Sequence, residues 1–422
     1  MVMPQNPRTQ AEETIREEIR REGRVTFARF MDLALYSPGG YYPAVRAQPG
    51  GRLKDFVTSP ATHPAFGWLL ALQLNEVWEH MERPDPFWVV ELGAGDGLLC
   101  RDILTCANQL GLPCLPSLRY AVTDTTQPVG QLESGFKQAW RVVTDGIPLQ
   151  GFTGCILSNE LLDALPVHRF AIRDGQPLEA YVALSGETFV ETLDEPSSRS
   201  LAKRLESIAY GQPDGFRGEV CLELDPWLGD VARSLGRGIV LTIDYGETSE
   251  QLYSAGKGML RCYYRHTVSG NPYVRVGRQD ITSHVDFGRL LAMGEQLGLG
   301  TLGYTTQREF LRNLGAEVLL EKLGSAKANA TNRVALQELL KNRGLGDFKV
   351  LAQGKQFAGN LLGLSVDNSS ARGVHALLQK SAPPLLTPQH LAPPVENSAE
   401  RSVELPEDAL QHLWPEDGGA KT

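Results

Sequence analysis

VVELGAGDGLL, Val89 to Leu99, is the stretch whose reading decides the fold. Apolar residues Trp88 to Val90 lead into Glu91, glycines follow at Gly93, Gly95 and Gly97, and a helix-compatible segment starts at Leu98. The pattern reads as a strand, a tight glycine turn and a helix N-terminus. Such a turn lets a nucleotide-like ligand reach the backbone where a side chain would block it. The spacing is G-x-G-x-G. The dinucleotide fingerprint is G-x-G-x-x-G, and Leu98 stands where its third glycine would be. On this stretch alone, a nucleotide-type cofactor, a dinucleotide and an ordinary glycine turn of an α/β protein all remain open.

Working outward, strands alternate with helices. Strand one starts at Phe87 and ends at Glu91, and a helix follows from Leu98 to about Leu110. Strand two, Leu118 to Val122, ends in Thr123-Asp124. A helix is expected through Gln131 to Ala139, then a short strand three from Arg141 to Val143. Cys155 to Leu157 is strand four, ending in Ser158-Asn159-Glu160. Val167 to Ile172 and Ala180 to Leu184 read as a hairpin, Val220 to Leu224 as a strand and Trp227 to Leu235 as a helix. Gly238 to Asp244 is strand five. Strands separated by helices imply a doubly wound, mostly parallel sheet with ligands at the carboxyl ends of the strands. Glu91, Asp124, Asn159, Glu160 and Asp244 all lie at such ends.

Before the first strand, Thr9 to Arg21, Val25 to Leu35 and Gly67 to Met81 read as helices, with Ser37 to Tyr42 a turn bearing two aromatics. After it, Asp286 to Leu297 and Gln307 to Leu314 read as helices and Phe348 to Ala352 as a late strand. Three regions are expected: 1–86, a helical extension covering cofactor and substrate; 87–365, the α/β core with insertions; and 366–422, a Pro-, Ser- and Glu-rich disordered tail. A net charge of -9 argues against a chain built to coat nucleic acid. No apolar run reaches the roughly 18 residues of a membrane span. With no apolar leader at the N-terminus, a cytoplasmic location is expected. The six cysteines show no ligand spacing, so no structural zinc is expected.

Five blocks carry a family resemblance: SPGGYY with KDFVTSP (Ser37 to Tyr42, Lys54 to Pro60), VVELGAGDG (Val89 to Gly97), SNELLDALPVHRF (Ser158 to Phe170), IDYGE (Ile243 to Glu247) and DITSHVDF (Asp280 to Phe287). On these the chain resembles the MidA family of S-adenosylmethionine (SAM) methyltransferases, over roughly residues 10 to 365. The resemblance implies the Rossmann-like fold of the class I SAM methyltransferases and SAM as cofactor. It also implies a protein arginine as methyl acceptor, a subunit of respiratory complex I as partner, and a homodimer. The chain departs from the family pattern at Lys54, where glycine is usual, and at Ala61, where an acidic residue is usual. It departs again at Leu161 and Leu162, where aromatics are usual, and at Asp124, where glutamate is typical. The changes at Lys54 and Ala61 bear on substrate identity.

Methyl transfer from a sulfonium mainly requires that donor and acceptor be held in contact. The Gly93-Ala94-Gly95 turn would receive the methionine part of SAM, with Glu91 reaching its ammonium. Asp124 is placed for the ribose hydroxyls or, alternatively, as a helix N-cap. Asp145 would bond the adenine amine or simply sit in a turn. An arginine acceptor arrives charged and needs carboxylates to grip it. Asn159 and Glu160 come first, Asn159 also as a cofactor contact, with Asp163 in support, since three-residue spacing on a helical turn shares one face. Asp244 and Glu247 form a second acidic pair. His266, Asp280, His284 and Asp286 are metal-capable types without metal-site spacing, and a structural role fits them better. The competing functional readings are a methyltransferase for another side chain or a small molecule, and a non-catalytic SAM-binding assembly factor.

Overall fold

The computed structural model describes residues 7–47, 58–125, 136–254, 258–265, 267–365 and 368–390. They pack as two units. One is drawn from Met1–Phe56, Leu162–Trp227 and Gly246–Leu290, the other from Val57–Leu161, Leu228–Tyr245 and Leu291–Thr422.

The second unit is built on a seven-stranded sheet. Its strands are β1 (Phe87–Leu92), β2 (Leu118–Asp124), β3 (Ala139–Val143), β4 (Phe152–Asn159), β5 (Leu235–Asp244), β6 (Gly300–Thr306) and β7 (Lys349–Lys355). The order across the sheet is β6-β7-β5-β4-β1-β2-β3. β7 runs antiparallel to both neighbours, and the pairs from β5 to β3 are parallel. The expected doubly wound, mostly parallel sheet is therefore present. Its switch point lies between β1 and β4, where the strand order reverses, and ligand crevices open at such points.

Near the start of the central strands, Trp88, Gly154 and Gly238 lie side by side in register. A Cβ on Gly154 would fall 1.8 Å from the Trp88 carbonyl oxygen, and one on Gly238 would fall 1.8 Å from that of Gly154. Only glycine permits backbones this close.

Two helices flank β1. α1 (Ala65–His80) is apolar almost all round and buries Phe66, Trp68, Leu69, Leu70, Leu72 and Val77. α2 (Leu98–Gln109) buries Leu99, Ile103 and Leu104 in the same core. Truncating one of these leucines to alanine costs about 2–5 kcal/mol, because the cavity cannot fully collapse.

The first unit carries a five-stranded antiparallel sheet of Arg24–Thr26, Gln176–Ser185, His168–Arg173 and Arg217–Val220, with Thr188–Asp194 pairing Gln176–Ser185. The helices Gln10–Glu22 and Phe27–Tyr36 supply Ile15, Ile19, Phe27, Phe30 and Met31 to its core. Thr9 caps the first of them, its hydroxyl oxygen accepting the Glu12 N–H at 3.0 Å.

Several expectations need correction. Residues 58–86 pack in the unit of the seven-stranded sheet, so no boundary falls at 86. Ala139 belongs to β3 rather than to a helix, and Gln131 lies outside the described residues. Val220 closes a strand, but Leu224 opens the helix Leu224–Ser234. The tail is not structureless from 366. A helix spans Asn368–Lys380, Leu378 is fully buried, and the chain remains packed to His390. Residues 391–422 lie outside the described residues. Tyr41 and Tyr42 open a short helix, Tyr41–Arg46, and are buried in the first unit. There Tyr42 stacks on Tyr36 at 5.3 Å and donates to Asp280 at 3.1 Å, so both tyrosines are core residues rather than a cover. Lys54 and Asp55 lie outside the described residues.

Candidate functional site

The glycine turn between β1 and α2 is held from three sides. Gly93, Gly95 and Gly97 all have left-handed φ, at 68°, 55° and 81°. The Ala94 N–H donates to the Thr123 carbonyl at 3.0 Å, and the Gly95 N–H donates to Asp124 Oδ2 at 3.1 Å. From β3, the Arg141 guanidinium donates to the carbonyls of Gly95 and Asp96, both at 3.0 Å. Leu161 lies against Gly93, where an added Cβ would come within 2.6 Å of its Cδ1, whereas a Cβ on Gly95 would meet nothing within 4 Å. The turn is thus packed at its first glycine and open at its second.

Glu91, Tyr120 and Arg141 project from one face of the sheet, as the register pairs Glu91 with Val122 and Val122 with Arg141. The Glu91 carboxylate is buried and accepts the Tyr120 hydroxyl at 2.8 Å. Burial pushes its carboxyl up to about 8, against the opposing pull of the Tyr120 hydrogen bond and the Arg141 charge. Burial also lowers Arg141, while Glu91, Asp124 and Asp96 hold it charged. Asp124 is buried at the end of β2 and accepts the Gly95 N–H, so it braces the turn; the residues after Thr125, where a capped helix would start, lie outside the described residues. Asp145 is exposed in the bend after β3.

At the end of β4 the chain turns sharply. Glu160 adopts φ 50°, its N–H donates to the Ile243 carbonyl at 2.9 Å, and its Oε1 accepts from the Ser59 N–H at 2.8 Å and the Asn159 side-chain amide at 2.9 Å. Asn159 Oδ1 is buried without a partner among the described residues. This geometry corrects the helical-turn reading. Glu160 is left-handed and outside the 3-10 turn Leu162–Ala164, and Asp163 belongs to the first unit, where it is buried and its carbonyl accepts the Ser283 N–H. Asp244 lies at the end of the neighbouring strand β5. Its carboxylate accepts the Leu161 N–H at 3.1 Å and the Tyr245 N–H at 2.9 Å and is buried, so it fixes the turn after Glu160. Glu247 lies in the first unit.

Two residues of the metal-capable group have structural roles. Asp286 accepts the Arg289 N–H, the Ser249 hydroxyl and the Arg204 guanidinium, which makes it the N-terminal anchor of Phe287–Gln296. Asp280 holds Tyr42. His266 lies outside the described residues, and among those described no three His, Cys, Asp or Glu side chains are grouped to hold a metal ion.

The profile of a family described as "Putative S-adenosyl-L-methionine-dependent methyltransferase" (Methyltransf_28) matches residues 69–305, more than half of the chain. The chain belongs to this family. It is a SAM-dependent methyltransferase. A crystal structure of a likely methyl transferase from Burkholderia thailandensis bound to S-adenosyl-homocysteine is similar to this methyltransferase at 30% identity, with a TM-score of 0.73 over 84% of this chain and 94% of that one. The protein arginine methyltransferase NDUFAF7 of Homo sapiens is 28% identical over 76% of each chain. Its Drosophila melanogaster homolog is 29% identical over 73% of this chain and 76% of its own. Among the described residues, no helix of the methyltransferase is long and apolar enough to cross a membrane.

Arg141 carries no motif signal in the sequence. Its role rests on lying two strands away from Glu91 in register, and only the strand pairing reveals that.

Proposed function

We propose that the chain moves the methyl group of SAM to an arginine guanidinium of a protein. The observation that carries this reading is Glu160. A glutamate forced into left-handed backbone at the carboxyl end of a central strand costs of order 1–3 kcal/mol, and such strain concentrates where side chains work. The likeness to relatives named protein arginine methyltransferases points the same way. On the family resemblance, the proposed acceptor protein is a subunit of respiratory complex I.

The residues fit the cofactor. The turn offers open space at Gly95, two acidic groups at the carboxyl ends of β1 and β2, and the unpartnered Asn159 oxygen at the end of β4. Gly93, Ala94 and Gly95 would take the methionine part, Glu91 its ammonium, Asp124 the ribose hydroxyls and Asn159 a further polar contact. Asp145, exposed beyond β3, would reach the adenine amine. Bound SAM supplies an electrophilic methyl on a sulfonium. The chain's own part is to hold Glu160 beside the acceptor. Ser59 and Asn159 orient that carboxylate, and Asp244 and Ile243 fix the backbone under it. A carboxylate so fixed grips the guanidinium and aims one nitrogen at the methyl.

The test is Glu160→Gln, which keeps the shape and both hydrogen bonds to the side-chain oxygen. Methylarginine in proteins of a host strain lacking this gene should return with the wild type and stay absent with the variant. S-adenosylhomocysteine (SAH) binding by calorimetry should match in the two proteins. Methyl transfer to a small molecule, or to lysine, would overturn the arginine reading.

A further inference from the structure

We propose that Arg141 is the positioning residue of the cofactor turn. Its guanidinium sets the turn's conformation through two consecutive carbonyls and supplies the counter-charge for the carboxylates around it. The inference rests on reading Gly93 to Gly97 as the cofactor cradle.

Three observations converge. The fork from Arg141 to the Gly95 and Asp96 carbonyls spans two adjacent peptide units. A peptide unit is planar, with its C=O and following N–H pointing opposite ways. Fixing the Gly95 carbonyl therefore also fixes the Asp96 N–H, and the second bond does the same for Gly97. The turn needs such a hold, because three residues with left-handed φ in five have no regular ladder to keep them in place.

The second observation is charge. Arg141 is the cation that acts on Glu91, Asp96 and Asp124 at once. Three carboxylates at one turn repel each other unless a cation sits among them. A cofactor bearing an ammonium favours a charged Glu91; burial opposes that form and pushes the carboxyl up to about 8, and the Arg141 charge pulls against burial.

The third observation is reach. Arg141 lies on the edge strand β3, and Val122, fully buried, lies between it and Glu91 in the register. The side chain crosses β2 to reach the turn. Its Nε is buried with no partner among the described residues, so the arm is committed to this path for the sake of its terminal fork. Lysine can supply the charge at the end of such an arm but not the fork.

The experiment compares wild type, Arg141→Lys, Arg141→Met and Gly93→Val. It measures SAH affinity by calorimetry at several pH values, KM and kcat for SAM, and thermal unfolding without ligand. Two hydrogen bonds from a charged donor predict SAH binding about 10- to 100-fold weaker in Arg141→Met, with a matching rise in KM for SAM and kcat kept within about threefold. Arg141→Lys should fall between. In Arg141→Met the pH at which SAH affinity is half-maximal should also move upward, while in Arg141→Lys it should stay near that of wild type. A residue that merely stabilises the fold would not move that midpoint. SAH binding by Arg141→Met within about twofold of wild type, with an unchanged pH profile, would overturn the proposal. If Arg141→Met does not fold, Arg141→Lys decides: wild-type SAH affinity in it would overturn the role of the fork. Loss of SAH binding in Gly93→Val with full binding in Arg141→Met sinks only the role of Arg141. Full binding in Gly93→Val sinks the cradle itself.

Discussion

Replacing Glu91 with glutamine should make the fold less sensitive to alkaline pH. The wild-type carboxyl titrates at about 8 in the fold, against 4.5 for a solvated glutamate. Between those values the fold keeps a proton that the unfolded chain has released, and stability falls as pH rises wherever that is so. The contribution is complete below pH 4.5, declines through the interval and is gone above about pH 8. Integrated from pH 6 to pH 9, it removes about 2–3 kcal/mol from the wild type. Glu91→Gln keeps an oxygen for the Tyr120 hydroxyl and has no proton to lose. Urea unfolding of both proteins at pH 6, 7, 8 and 9, without cofactor, gives the comparison. The wild type should lose about 2–3 kcal/mol relative to the variant across the series, with most of the divergence between pH 6 and 8. Curves that stay parallel to within about 0.5 kcal/mol would refute the reasoning, since they would mean Glu91 is hydrated and titrates as an ordinary carboxylate.

Gly93→Val should lose SAH binding in calorimetry and lose about 2–4 kcal/mol of stability, because its Cβ would collide with Leu161 at a backbone angle valine rarely adopts. Gly93→Ala combined with Leu161→Ala relieves the collision but not the strain, so it should recover part of the stability, as read by thermal unfolding. At the far end of the described chain, His390 is buried with its Nε2 2.7 Å from Asp102 Oδ2 on α2. His390→Ala leaves the buried Asp102 carboxylate with only the longer Arg101 ion pair at 3.7 Å and should cost about 2–4 kcal/mol in urea unfolding, with Asp102→Asn milder because an amide still bonds the imidazole.

The glycine turn and the strand ends were legible because each leaves a local mark: an apolar run, a glycine demanding left-handed φ, an acidic residue at a fixed offset. What escaped depended on partners remote in sequence. β6, Gly300 to Thr306, is rich in glycine and threonine and only half-buried at a sheet edge, so its sequence lacks the apolar alternation of a strand. The helix Asn368–Lys380 begins in a Ser-Ser-Ala-Arg-Gly segment that looks like linker, and only its packing through Leu378 reveals it. Helical spacing puts Asp163 on the face of Glu160, and one left-handed residue is enough to undo that geometry. Asp244 sits at a strand end, and only the fold shows that two backbone N–H groups bond its carboxylate.

The interleaving of the two units has a consequence for how the protein is made. Five crossings of the chain divide the segments, at 56, 161, 227, 245 and 290. The cofactor turn and its braces are encoded by residue 141, but β5 is not encoded until 235, after a long excursion into the other unit, and β7, the strand paired with β5, not until 349. A ribosome therefore releases the turn long before the sheet that must support it can close, and the nascent chain has to hold open strand edges in the meantime. The first unit is not fully encoded until 290 and the second not until later still, and no single proteolytic cut liberates either one whole. Pairing this remote in sequence favours slow, late closure of the seven-stranded sheet.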